Sequence, residues 1–377
     1  MDFSNLTKYL ENLDTNLIPD CEIAVYKDHE CLYKNSFCKE DYDPKEAGKD
    51  TYFLFSCTKV ITVVSALRLV EEGKMGLDDP VSKFLPEFAK LYVKKGNETF
   101  QAKKILTVRH LFSMQGGYTY FYGYDSIQKV IKDSDGKAST REVVAAMAEF
   151  PLEFEPGDDF CYSLCHDILA TVVEVVSGKK FSEYLNEVIF APLGMKDTTF
   201  EASEEMLSRM KQQYRVDPIT SCAVPKEATC NYKFTENYES GGAGLISTLE
   251  DYTKFADALA CGESKDGYRI LKPETVELLK TNQLSDEKVL DKFRKYFIQN
   301  SGYGYGLGVR TLMDEKMAFS LAPKGEFGWD GAAGSLCSID TDNHISIFYA
   351  QHVLRCSYAY STVHRAIKNL VYKAINE

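Results

Sequence analysis

Residues 55–73 read FSCTKVITVVSALRLVEEG, and this stretch organises the reading of the rest of the chain. After a short polar opening the run is almost continuously apolar and stops at Gly73, the pattern of a buried helix with a glycine end. Ser56 and Lys59 stand at i and i+3 at the start of that helix, so they share a face and Lys59 can reach the Ser56 hydroxyl. A serine hydroxyl is a poor nucleophile at neutral pH and needs a base beside it. Lysine serves as that base only when its pKa falls well below about 10.4, which burial brings about. The neighbours Phe53, Leu54, Phe55, Val60, Ile61 and Val63 supply an apolar surrounding. A helix start also offers free backbone N–H groups and a favourable dipole to an oxyanion developing on Ser56. The plain alternative is that Ser56 is an N-cap and Lys59 a surface residue. SxxK spacing arises often by chance, so its meaning depends on what surrounds it.

Outward from this helix, residues 3–13 place Leu6, Tyr9, Leu10 and Leu13 on one helical face. CEIAVYKD and ECLYKNSF then alternate like two strands joined by a short polar turn. The middle of the chain reads as helical. Ser139 and Glu142 form a capping box before VVAAMAEF, and the apolar segment from Asp167 to Val176 is halted at Gly178. Beyond about residue 225, GGAGLIS leads into a helix over about 249–260. YGYGLGVRTL, GAAGSLCSID and HISIFYAQHV have strand-like composition, with Asp342-Asn343 as a hairpin turn. A last amphipathic helix spans about 360–375, with Val363, Ile367, Leu370 and Val371 on its apolar face. These patterns predict an α/β domain built from 1–65 and 225–377, interrupted by a helical domain over 66–224. The natural place for a site is the cleft between them.

Composition narrows the function. The 377 residues carry 44 basic and 56 acidic side chains, a formal net charge of -12, and no basic run. Such a surface repels a phosphate backbone, so nucleic acid is not an expected partner. The N-terminus lacks the pattern of a secretory leader, and no stretch approaches the roughly 20 apolar residues of a membrane span. A cytoplasmic protein with no membrane partner is expected. The eleven cysteines have no regular spacing and are read as free thiols packed as small hydrophobes. Cys161, Cys165 and His166 lack a second ligand pair at a zinc-like spacing, so neither a metal nor another cofactor is expected.

Two further segments give the SxxK motif its context. Tyr162-Ser163-Leu164-Cys165-His166-Asp167 follows the turn Glu155-Pro156-Gly157, and Phe327-Gly328-Trp329-Asp330-Gly331-Ala332-Ala333-Gly334 lies late in the chain. In this order and spacing the chain resembles the class C β-lactamase and penicillin-binding-protein superfamily. Within it, the esterase branch, the family VIII carboxylesterases, is most similar. The resemblance runs from about 51 to 351 and includes LTVRHLFSMQGG, EPGDDFCYSLCHDILATVVEVVSGK, GGAGLISTLEDYTKFADAL and YGYGLGV. It implies an α+β, β-lactamase/transpeptidase-like fold, with an antiparallel sheet flanked by helices and an inserted all-helical domain. It also implies roles. Ser56 becomes the acylated serine, Lys59 its proton acceptor, and Tyr162 the tyrosine that shuttles a proton to the leaving group. The backbone N–H groups of Ser56 and Ala332 become the oxyanion hole, and Leu164, Trp329, Asp330 and Gly331 contact substrate. His166 and Asp167 are expected to cap the helix that follows, and His110 to be a satisfied structural histidine.

The departures from the β-lactamase pattern shape the functional expectation. Leu164 stands where those enzymes have an asparagine that binds the substrate amide and the catalytic lysine. Trp329 stands where they have a lysine that attracts the β-lactam carboxylate, and it offers a flat apolar wall instead. The esterase branch carries Trp-Gly-Gly here, which Trp329 and Gly331 match and Asp330 does not. The Asp330 carboxylate either faces the cleft or points into solvent. The implied activity is acyl-enzyme chemistry on a small-molecule acyl substrate, with carboxylester hydrolysis first. Acyl transfer to an amine or alcohol, D-aminopeptidase action and weak β-lactamase action follow. A silent penicillin-recognition or scaffold protein is the reading from another class, and the joint presence of Ser56, Lys59 and Tyr162 argues against it.

Overall fold

The helix expected from residue 56 onward begins at Thr58, because the residues before it tighten into a 3-10 turn over Phe55–Cys57. In this computed structural model, which describes residues 1–38, 48–120 and 123–377, the chain starts with helix α1 (Ser4–Glu11). Leu6 and Leu10 are buried on its inner face. Strands β1 (Asp20–Lys27) and β2 (Glu30–Cys38) follow as a hairpin. Their turn places Asp28 and His29 at φ 51° and 65°, the left-handed pair that a two-residue hairpin requires. Helix α2 (Thr58–Glu71) buries every residue from Thr58 to Leu67. A helix apolar all round has to be enclosed on all sides.

Three more helices and five late strands position the site. Helix α3 (Cys165–Ser177) packs against α2 and ends at Gly178, whose φ of 70° is the left-handed stop that the sequence pattern implied. Helix α4 (Leu249–Cys261) lies across β1 and the late strands. Those strands are β3 (Tyr303–Tyr305), β4 (Arg310–Leu312), β5 (Phe327–Asp330), β6 (Leu336–Asp340) and β7 (Ile345–Ala350). Helix α5 (His364–Asn376) closes the chain, with Val363, Ile367 and Val371 fully buried. The seven strands form one antiparallel sheet in the order β2-β1-β7-β6-β5-β4-β3. β1 therefore pairs with β7 from the far end of the chain, and Glu22 sits opposite Ala350. The fold is α+β and β-lactamase/transpeptidase-like.

Three sequence expectations are refined. The inserted region carries ribbons as well as helices: Tyr92–Lys95 pairs with Glu98–Gln101, and Gln213–Val216 pairs with Ala223–Lys226. Short polar strands of this kind give no strong alternating signal. The expected junction near residue 65 falls inside α2, which runs unbroken from Thr58 to Glu71. The β6–β7 turn takes the four residues 341–344, with the left-handed φ of 54° on His344. The Asp340 carboxylate accepts from the N–H groups of Asp342 and Asn343, 3.0 and 3.1 Å away, and this side-chain turn replaces a two-residue one. The Ser139–Glu142 capping box forms as read.

Candidate active site

A bulky residue in the left-handed region introduces the candidate nucleophile. Phe55 has φ 47°, rare for an aromatic side chain and costly by about 1–3 kcal/mol. Its ring is buried beside Phe53, Tyr232 and His352, and the Tyr252 hydroxyl donates to the Cys57 carbonyl at 2.9 Å. Packing on both sides of the turn holds the strain. The result is a sharp bend that presents Ser56, half-buried, at the wall of a cavity of about 380 Å³.

Lys59 is fully buried one turn on. Its Nζ lies 3.3 Å from Ser56 Oγ, 2.7 Å from the Tyr120 hydroxyl and 2.6 Å from the Gly242 carbonyl. Burial pulls its pKa down to about 7, and the Asp167 carboxylate behind it only partly opposes this. Near neutral pH a large share of Lys59 is thus a free amine with two hydrogens and one lone pair. The Gly242 carbonyl can only accept, so it takes one hydrogen, and the lone pair is left to receive a proton from a hydroxyl. Gly242 is a glycine for a local reason. A Cβ there would sit 2.6 Å from Asp167 Oδ2 and 3.4 Å from Lys59 Nζ.

Tyr162 completes the group. Its hydroxyl accepts from the Trp329 indole N–H at 2.8 Å and lines the same cavity as Ser56. Burial pushes the phenol well above its ordinary pKa and outweighs the lowering effect of its polar neighbours, so it stays protonated and able to donate. Its ring lies 4.6 Å from Lys59 Nζ and packs with Tyr120, Phe297 and Trp329 at 5.3–5.5 Å between ring centres. Trp329, Gly331 and Ala332 line the same cavity as Ser56 and Tyr162. Gly331 admits no side chain, because a Cβ would lie 2.5 Å from the Leu54 carbonyl. This close approach brings the end of β5 against the turn that carries Ser56.

The structure corrects several sequence expectations. Leu164 is 1% exposed and lies away from the cavity wall, because it is taken into the core at the start of α3. Asp330 does line the cavity, as a cleft residue should, but its carboxylate is tied to the sheet behind it. Its carboxylate accepts from Arg310 Nη1 at 2.8 Å and has His364 Nδ1 at 3.7 Å. Burial opposes its ionisation, but Arg310, with His364 and Lys368, outweighs burial and brings Asp330 down to about 2. Asp167 and His166 do not cap α3, whose start has no side-chain cap. Asp167 is buried and accepts from Ser240 at 2.6 Å and Tyr238 at 2.9 Å, while His166 Nε2 lies 3.1 Å from the Phe112 carbonyl. His110 closes a capping box with Thr107, in keeping with a structural role.

Cys161, Cys165 and His166 bring no cluster of ligand atoms together. Among the described residues the one such group is His29, Asp257 and Cys261, with His29 Nδ1 2.8 Å from the Asp257 carboxylate. Tyr120, Tyr232 and Gly242 carry no signal in the sequence, and Asp167 is read there only as a helix cap. GGAGLIS was noticed, but nothing in it reveals which carbonyl meets Lys59. No described helix is long and apolar enough to cross a membrane.

Comparison with known proteins bears on the family and the fold. The sequence profile of the Beta-lactamase family matches residues 7–354. Protein Rv1367c of Mycobacterium tuberculosis is 28% identical over 365 residues, covering 92% of this chain and 88% of that one. Esterase EstB of Burkholderia gladioli is 27% identical over 352 residues, covering 86% and 84%. The unliganded structure of simvastatin synthase (LovD) from Aspergillus terreus superposes with a TM-score of 0.82 at 20% identity, covering 100% of each chain. With the profile matched over most of its length, this chain belongs to the Beta-lactamase family.

Proposed function

We propose that the protein is a serine hydrolase that cleaves carboxylic esters through an acyl-enzyme on Ser56. The observation that carries this reading is the buried Lys59 amine 3.3 Å from Ser56 Oγ, with a pKa drawn down to about 7. Neutral Lys59 takes the Ser56 proton as the oxygen attacks the ester carbonyl. The tetrahedral oxyanion is met by the N–H groups of Ser56 and Ala332. Tyr162 donates to the departing alkoxide and recovers the proton from the lysine side. Water then enters the vacated position, gives up a proton by the reverse route, and releases the acid.

Esters are favoured over β-lactams by what surrounds Ser56. No lysine stands at 329 to attract a carboxylate, no amide side chain stands at 164, and Trp329 forms an apolar wall. EstB, an esterase, is a relative of the same length class. The aromatic wall formed by Tyr232, Tyr296, Phe297 and Trp329 suits organic acceptors as well, so transfer of the acyl group to an alcohol or amine is the second reading.

The test is labelling with a fluorophosphonate probe, beside turnover of p-nitrophenyl esters of rising chain length, nitrocefin and D-amino-acid amides. Wild type is expected to label and to prefer short-chain esters over nitrocefin, and Ser56→Ala to lose both activities while staying folded. Labelling of Ser56→Ala at the wild-type rate would place the nucleophile elsewhere, and nitrocefin turnover equal to that of a short ester would overturn the ester preference.

A further inference from the structure

The Ala332 N–H can serve an oxyanion only if the peptide unit joining Gly331 to Ala332 keeps one orientation. That unit is planar and trans, so the Gly331 carbonyl and the Ala332 N–H point in opposite directions. Rotating the unit would exchange a donor for a carbonyl oxygen beside the reacting centre. Gly331 does little to prevent rotation, since a residue without Cβ has wide conformational freedom. Gly334, three residues on, is also a glycine and sits at φ 92°. The loop gives one hold of its own, through the Gly334 N–H, and the further restraint has to come from outside it.

It comes from the segment that opens α5. The Tyr360 hydroxyl donates to the Gly331 carbonyl at 2.7 Å, and the same oxygen accepts the Gly334 N–H at 2.9 Å. About one turn further, His364 Nε2 lies 2.9 Å from the Gly334 carbonyl. The Val353 N–H donates to the Ala333 carbonyl at 2.9 Å. The carbonyls of Gly331, Ala333 and Gly334 are therefore each engaged, two of them by side chains of the C-terminal segment. Tyr360 is suited to a permanent hold. Burial, with the Asp330 carboxylate nearby, keeps its phenol far above the ordinary range, so the hydroxyl remains a donor throughout the working pH range.

We infer that Tyr360 is a positioning residue for the reaction proposed above. Its hydroxyl grips the Gly331 carbonyl and so aims the Ala332 N–H at the oxyanion on Ser56, while His364 steadies the far end of the loop. This rests on the reading of Ser56 and Ala332 as the oxyanion hole. Nothing in the motif Trp329-Asp330-Gly331 announces it, because the residue that acts lies 29 positions from the carbonyl it holds.

Tyr360→Phe tests it, because the ring is kept and the donor alone is removed. Losing an oxyanion donor outright lowers kcat by roughly 10²–10³-fold, so loosening one should lower kcat for a p-nitrophenyl ester by about tenfold or more. KM should stay within about threefold, and the acid limb set by Lys59 should not move. p-Aminophenylalanine at 360 restores a donor and should recover most of the rate. The crystal structure of Tyr360→Phe should contain the Gly331–Ala332 peptide in a second orientation. His364→Gln should give a smaller fall with the same split between kcat and KM, and it supplies the rate measurement should Tyr360→Phe not fold. A rate within twofold of wild type, with the peptide unmoved, overturns the inference. Absence of Ser56-dependent labelling in wild type strikes instead at the proposed reaction, and the peptide orientation in the variant crystal then decides the role of Tyr360.

Discussion

Two buried groups of charge adjoin β5, and against the same cost of burial they titrate in opposite ways. Trp329 and Asp330 are neighbours on the strand, so their side chains leave it on opposite faces. On the Trp329 side stands Lys59, a cation whose nearby carboxylate, Asp167, is itself pushed up by burial and tied to Ser240 and Tyr238. On the Asp330 side, Arg310 meets Asp330 at 2.8 Å and Glu326 at 3.7 Å, and Lys368 meets Glu326 at 3.6 Å. There the carboxylates fall below their ordinary range despite burial, and Arg310 is driven further toward its charged form. Burial alone therefore does not decide whether a group titrates. The number of well-placed countercharges does. One cluster can exchange a proton near neutral pH; in the other, Arg310, Asp330 and Glu326 are held in their charged forms, while burial draws Lys368 down.

The largest test of that contrast is Lys59→Ala, with an expected loss of about 10³-fold or more in kcat/KM and little change in fold. Tyr162→Phe should be of similar severity, and the double variant little worse than either, because residues acting as one proton-transfer unit lose most of the effect with the first removal. Fully additive losses would separate the two residues. In wild type, kcat/KM should rise with pH through an acid limb near 7 and level off as Lys59 loses its proton. Stability carries the same signature. Lys59 is lowered from 10.5 unfolded to about 7 folded, so between these values the unfolded chain binds more protons and its penalty on folding fades as pH rises. Asp330 contributes the reverse case. Its stabilisation is complete above the unfolded value of 3.8 and is lost as pH falls toward about 2.

The next effect is on stability. Asp330→Asn strips Arg310 of its closest countercharge in a buried setting, and breaking such a pair costs about 3–5 kcal/mol, measurable as a lowered urea midpoint. The ratio of kcat/KM between matched neutral and cationic esters should not change, because the carboxylate is committed to Arg310. A shifted ratio at unchanged stability would give the Asp330 carboxylate a part in substrate recognition. Arg310→Met combined with Asp330→Asn should cost less than the two single changes added together, since neither charge is then stranded.

These residues also mark where the sequence stops being readable. The helix at 58–71, its glycine stop, the capping box at 139–142 and the strand pair at 20–38 follow from local patterns, and so does the reach from Lys59 to Ser56. What local pattern could not supply was the direction of a side chain set by distant partners. Asp330 turns to Arg310, twenty residues away, and Asp167 turns from its helix end to Tyr238 and Ser240, more than seventy residues away. Leu164 illustrates a different limit. Its place in the motif suggested substrate contact, but an apolar side chain at the start of a helix enclosed by core residues is drawn inward. Gly242 and Tyr120 bind the lysine, yet one acts through a backbone carbonyl and the other from a loop, and neither leaves a periodic trace.

The smallest expected effect separates the two members of the proton-transfer pair. Trp329→Phe keeps an aromatic wall against Tyr162 and removes only the N–H that donates to the phenol oxygen at 2.8 Å. A neutral hydrogen bond contributes about 0.5–1.5 kcal/mol, so a fall of roughly 2–10-fold in kcat is expected. The direction follows from the phenol: this hydrogen bond lowers the Tyr162 pKa, and without it Tyr162 becomes a weaker acid. Alkyl esters, whose alkoxide needs a proton to depart, should lose more than p-nitrophenyl esters, whose leaving group is stable as an anion. The acid limb near 7 should stay in place, because the neighbours of Lys59 are untouched. Equal losses for both ester types would take Tyr162 out of leaving-group protonation. A displaced acid limb would mean that Trp329 acts on the lysine, and that the two faces of β5 are less separate than their chemistry requires.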